Sequence, residues 1–94
     1  MKIFLREYLS SLELERNLSI NTIKSYRNDL NSLILFLKEK KIEDPAEITY
    51  QHLTAFFKLL SKFELSSRSS ARYYSSIKGF FKYLFTNGYL EKNP

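Results

Sequence analysis

Ninety-four residues make one small domain, with room for a single core of modest stability. Hydrophobic residues at 44% and aromatics at 16% exclude a wholly disordered chain, and only two Gly and two Pro argue against a turn-rich β architecture. The lack of cysteine removes disulfide scaffolds, thiol catalysis and Cys-based zinc sites together, and the net charge of +5 bears on partners rather than on fold.

The chain reads as four helices. The first runs from Lys2 to Arg16, where Leu5, Tyr8, Leu9 and Leu12 follow the i, i+3, i+4, i+7 spacing of one helix face. Arg6 and Glu7 interrupt any signal-peptide stretch, and the longest apolar run, Leu33 to Leu37, is too short to span a bilayer, so the expectation is a soluble, cytoplasmic protein. Asn17 and Leu18 break the first helix. Ser19 is placed to accept from the free N–H groups of a second helix, whose buried stripe is Ile23, Tyr26, Leu30, Leu33 and Leu37. It fades in Lys38-Glu39-Lys40-Lys41, where late cations suit the helix dipole. Residues 42–48 form a loop, since Pro45 disfavours a helical Asp44. Thr49 caps a third helix with Leu53, Phe56, Phe57 and Leu60 on its core face. The fourth helix opens in the cluster Ser66-Ser67-Arg68-Ser69-Ser70. Its core stripe is Tyr73 or Tyr74, then Ile77, Phe80, Phe81 and Leu84. Gly88 suits the left-handed residue after a helix end, and Tyr89 to Pro94 reads as a tail.

The charge is unevenly placed. Residues 1–18 are neutral, residues 19–41 carry +3, residues 42–64 carry −2, and residues 65–90 carry +4 from Arg68, Arg72, Lys78 and Lys82 with no acid. The excess therefore lies on the second and fourth helices, whereas a uniformly solvated surface mixes its signs. Beside the second helix's core stripe fall Asn21, Lys24, Ser25, Asn28 and Ser32. Beside the fourth's fall Arg68, Arg72, Ser75, Ser76 and Gly79. Cations neutralise phosphates, short polar side chains reach phosphate oxygens or base edges, and Ser75 and Gly79 are expected to let a duplex backbone come close. Helix-face lysines are also commonly just solvated, and serines at helix starts just caps. Pattern alone leaves both readings open.

The run Leu18-Ser19-Ile20-Asn21-Thr22-Ile23-Lys24-Ser25-Tyr26-Arg27-Asn28-Asp29-Leu30, followed by Phe36-Leu37, resembles the second helix of tyrosine recombinase (phage integrase, Xer-like) core-binding domains. Ser66 to Leu84, with Ser70-Ala71-Arg72 and Ile77-Lys78-Gly79-Phe80-Phe81-Lys82-Tyr83-Leu84, resembles the family's fourth helix. Asn87-Gly88 and Asn93-Pro94 resemble its exit toward a catalytic domain. The resemblance covers essentially the whole chain. It implies an all-α, orthogonal four-helix bundle of the SAM-like type, with residues 1–88 as the DNA-binding domain and residues 89–94 starting a linker to an absent catalytic domain. It implies duplex DNA as partner, gripped by helices two and four through Asn21, Thr22, Lys24, Ser25, Asn28, Arg68, Ser69 and Arg72. Lys78 and Lys82 lie further along and are left out of that set. Further recombinase copies are expected only in the full-length synaptic complex, the isolated fragment being monomeric and free of any membrane.

The family's chemistry uses a tyrosine nucleophile among arginines, a lysine and histidines in the other domain, so no catalytic residue, metal or cofactor is expected here. A phenol attacking phosphate needs clustered cations, and Tyr26, Tyr73, Tyr74 and Tyr83 sit in helical packing patterns. His52, the single histidine, has no partner at triad or metal spacing and is expected at the surface. The competing reading is a SAM-like protein-interaction module, which needs an exposed apolar patch such as Phe56, Phe57, Phe63 or Tyr83.

Overall fold

Ser19, Thr49 and Ser66 each stand in extended backbone and accept, through the side-chain hydroxyl, from the N–H three residues on. Three helices begin there, because the cap satisfies one of the N–H groups a first turn leaves without a partner. In the computed structural model, which describes residues 1–92, the elements are α1 (Lys2–Glu15), α2 (Ile20–Glu39), a 3-10 turn (Pro45–Glu47), α3 (Tyr50–Ser61) and α4 (Ser67–Thr86). Among the described residues there is no strand, so the all-α expectation holds. The expected exit motif Asn93-Pro94 lies outside the described residues.

Thr49 makes a full capping box. Its Oγ1 accepts from the His52 N–H at 3.3 Å, and its own N–H donates to His52 Nδ1 at 3.0 Å. The histidine is therefore half-buried against its own helix start rather than a free surface side chain. The helix ends are equally defined. After α4, Gly88 takes φ +79, its N–H donating to the Phe85 carbonyl and that of Tyr89 to the Leu84 carbonyl. This is the Schellman arrangement, and it uses a residue with no Cβ to clash. After α2 the same arrangement is built on Lys41 at φ 62, with Lys41 N–H donating to Lys38 and Ile42 N–H to Leu37.

The expected stripes are buried. Leu5, Tyr8, Leu9 and Leu12 of α1 meet Ile23, Leu30, Leu33 and Leu37 of α2 and Ile77, Phe80, Phe81 and Leu84 of α4 in one core. Leu30, Leu33, Leu37, Phe80 and Leu84 have no exposed surface. Burial of each such side chain stabilises by about 1.5–3 kcal/mol against about 1 kcal/mol for a cap. Packing thus holds the bundle, and the caps set its boundaries. On α3, only Leu53 and Phe56 are buried; Phe57 and Leu60 are half-covered. Tyr26 and Tyr73 are half-buried at the core's margin, while Tyr74 is exposed.

α2 is the hub and lies close to all three other helices. The molecule measures 33 × 32 × 18 Å. A 20-residue helix is about 30 Å long and about 10 Å wide, so the shortest dimension is about two helices thick. α3 does not approach α4 along its backbone, and aromatic pairs bridge the gap, Phe56 to Tyr73 and Phe57 to Tyr74. Beyond α4 the chain folds back: Leu90 is buried, the Tyr89 ring lies 4.6 Å from that of Phe4, and Tyr89 Oη donates to Glu7 at 3.0 Å. Tyr89 and Leu90, expected as the first linker residues, are thus packed on the bundle. No helix among the described residues is long and apolar enough to cross a membrane.

Candidate nucleic-acid interface

The two basic helices meet at an ion pair whose carboxylate is buried and whose guanidinium is partly exposed. Asp29, midway along α2, has no exposed surface. Arg72 of α4 reaches it with two parallel hydrogen bonds, Nε to Oδ2 and Nη2 to Oδ1, both 2.9 Å. Ser76 Oγ donates to the same Oδ2 at 3.3 Å. Bidentate Arg–carboxylate pairing fixes both direction and plane, so this contact sets α2 and α4 in register. The hydrogen bonding of Arg72 to the Asp29 carboxylate raises the guanidinium pKa above its ordinary value, burial opposing it.

The candidate contact residues spread from this point. On α2, Ser25 stands one turn before Asp29 and Asn28 directly before it; Asn21, Lys24 and Asn28 continue the face at helical spacing. On α4, Arg68 lies one turn before Arg72, with Ser75 nearly one turn after it. Asn21, Lys24, Asn28, Arg68 and Ser75 are exposed, and Ser25 is half-covered. The two faces meet at the Asp29–Arg72 pair, which joins two helices distant in sequence.

Thr22 and Ser69 have a different setting. Thr22 Oγ1 lies 2.9 Å from Ser19 Oγ, and Ser69 Oγ accepts from Ser66 Oγ at 3.1 Å. Both hydroxyls belong to the capped first turns of their helices, beside N–H groups that favour phosphate. Arg72 differs most from a simple surface cation, since a fully buried carboxylate depends on it. Ser76 and Gly79, expected beside Arg72 on the exposed face, are turned inward. Ser76 is buried on Asp29, and Gly79 is filled against the Tyr8 hydroxyl where α4 passes α1. The helix rotates about 100° per residue, so the face open at Arg68 and Arg72 is closed by α1 two turns on.

Asp29 is the residue of this junction that sequence reasoning missed, and Ser76 was expected on the exposed face rather than against it. The signal was present: Asp29 falls between Tyr26 and Leu33, and Ser76 between Tyr73 and Phe80, each at helical spacing within a core stripe. An acid in such a stripe calls for a buried cationic partner. Lys78 is turned to the other side of α4, its ammonium 5.7 Å from the Tyr74 ring centre. There it borders a groove of about 670 Å³ between α3 and α4, lined by Tyr50, Leu53, Phe57, Tyr74, Ile77 and Phe81. Tyr8 is buried between the rings of Phe80 and Tyr83, and that burial raises its pKa to about 12.

The family model described as phage integrase, N-terminal SAM-like domain, matches residues 5–88. A tyrosine recombinase XerC from Oceanobacillus iheyensis is 34% identical over the whole chain, which covers 31% of that protein. A tyrosine recombinase XerD from Listeria monocytogenes is 33% identical over the whole chain, covering 32% of it. A tyrosine recombinase XerC from Pseudomonas syringae is 32% identical over 93% of the chain and 29% of its own length. The chain spans about a third of the length of these relatives. No solved structure matches it.

Proposed function

Because this chain belongs to the tyrosine recombinase family, as its phage integrase N-terminal SAM-like domain, we propose that it is a core-binding module that grips duplex DNA through α2 and α4. One observation carries the reading: two helices holding the excess positive charge are joined edge to edge at Asp29–Arg72. Around that edge stand Asn21, Lys24, Ser25, Asn28 and Arg68, with Thr22 and Ser69 at the helix starts. The intervening segment, residues 42–64, is net acidic, which favours one orientation of the domain on a polyanion. In a longer recombinase, strand cleavage and rejoining belong to a second domain, and further copies assemble on paired sites. This chain alone binds and positions, as a monomer in the cytoplasm, without catalysis or cofactor.

The test is a fluorescence-anisotropy titration of short duplex DNA at low and high salt. If four phosphates are neutralised, a fourfold rise in salt weakens binding roughly 100-fold. Lys24→Ala and Arg68→Ala each lower affinity and flatten the salt slope by about one contact, with the helical circular dichroism unchanged. No binding at low salt, or binding indifferent to salt, overturns the reading. The α3–α4 groove, with exposed Tyr50 and Tyr74, favours the second reading, a protein-interaction module. Salt-insensitive association in sedimentation, with no DNA binding, would support that one.

A further inference from the structure

We propose that Asp29 is a positioning residue for DNA, acting through Arg72: the buried carboxylate holds the guanidinium so that its unused donors are aimed outward before DNA arrives. The proposal rests on the DNA-binding reading and adds a residue that touches no DNA.

A guanidinium carries five N–H donors in a rigid fork. Arg72 engages Nε–H and one Nη2–H on Asp29, which leaves three. Every hydrogen bond from this side chain goes to Asp29, and among the described residues no buried side-chain nitrogen or oxygen lacks a partner. Nη1, which carries two of the three, is therefore not buried, in keeping with a side chain 38% exposed above a carboxylate that is 0% exposed. A second restraint is the Tyr73 ring, whose centre lies 5.6 Å from the guanidinium carbon. A free surface arginine loses its rotamer freedom when it binds; Arg72 has lost it on folding. Ser76 adds only a longer contact to Asp29 at 3.3 Å, its hydroxyl lying closer to the Tyr73 carbonyl at 3.0 Å, so the fork itself fixes the orientation.

The pair has an electrostatic consequence. Arg72 and Asp29 together are neutral, so Arg72 attracts phosphate weakly as a charge and contributes chiefly as a set of aimed donors. Removing the Asp29 charge then has opposite effects under the two accounts. If the site works by charge alone, Asp29→Asn makes the surface one unit more positive and DNA binds more tightly. If Asp29 positions Arg72, the same change loosens the fork and DNA binds more weakly.

The experiment is a double-mutant cycle on duplex affinity, with each variant's folding checked by circular dichroism well below its melting temperature. Asp29→Asn is expected to weaken binding about fivefold to tenfold, and to have no weakening effect in an Arg72→Gln background, where nothing remains to be positioned. Ser76→Ala leaves both the fork and the charge in place and is expected to bind as wild type. Should Asp29→Asn fail to fold, Arg72→Lys serves: it keeps a cation over Asp29 but has no fork, and about a tenfold loss is expected. Tighter or unchanged binding by Asp29→Asn, or wild-type binding by Arg72→Lys, overturns the proposal while the DNA-binding reading stands. Failure of the wild-type domain to bind duplex overturns both.

Discussion

Gly79 shows how narrowly a single residue is specified where two helices cross. A Cβ built there meets the Tyr8 hydroxyl. Tyr8 cannot give way easily, because its ring is 4% exposed and packed between Phe80 and Tyr83. Gly79→Ala would gain about 1 kcal/mol in helix propensity but lose roughly 1–3 kcal/mol to overpacking. The balance is a net loss of about 1 kcal/mol, read as a melting temperature lower by about 5 °C. A raised melting temperature would mean that the α1–α4 crossing relaxes freely. At Arg72 the situation is reversed: the residue's chemistry was plain from its type, but its partner was 43 positions away. Nothing local to Arg72 distinguishes it from Arg68, which is exposed.

The helices themselves were legible because their signals are local. Caps at Ser19, Thr49 and Ser66, the stripe through Leu30, Leu33 and Leu37, and the left-handed Gly88 all depend on residues within one or two turns. The face of α4 was legible only in part. One face of that helix is solvent-exposed at Arg68 and covered by α1 at Gly79, and periodicity cannot report where along a helix a neighbour begins. The buried Asp29 was missed because charge was counted by segment, where an acid only lowers the total. The end of α2 offers a test at this scale. Lys41 holds φ 62 in a position that glycine occupies after α4. Left-handed backbone costs a residue with a Cβ about 1 kcal/mol or more. Lys41→Gly is therefore expected to stabilise the domain by about 0.5–1 kcal/mol in a denaturant titration, offset in part by glycine's greater unfolded entropy. No gain, or a loss, would show that the Lys41 side chain contributes more than the strain removes.

For the molecule as a whole, three tyrosines near α1 couple stability to pH. Tyr8 is raised from 10.0 to about 12 by burial, then by Tyr26, with Arg16 opposing. Tyr83 is raised by burial and by Glu7, and Tyr89 by its hydrogen bond to Glu7. Between about pH 10 and 12 the folded chain keeps protons that the unfolded chain has lost, so this contribution is complete below pH 10 and disappears as pH rises through that window. Thermal melts should hold steady from pH 8 to 9.5 and fall by pH 11; a flat profile to pH 11 contradicts it. Glu7 also has a mechanical meaning. Tyr89 is fastened to α1 by the Phe4 ring and the Glu7 carboxylate, and Leu90 is buried in the core. Tension applied beyond Leu90 must peel these contacts from α1 before it can unwind the last turn of α4. Arg72 stands 15 residues before Asn87, about 20 Å along the helix. The exit is thus a strain relief: a pull applied past Leu90 would load α1 at Tyr89 before it reached the surface around Arg72.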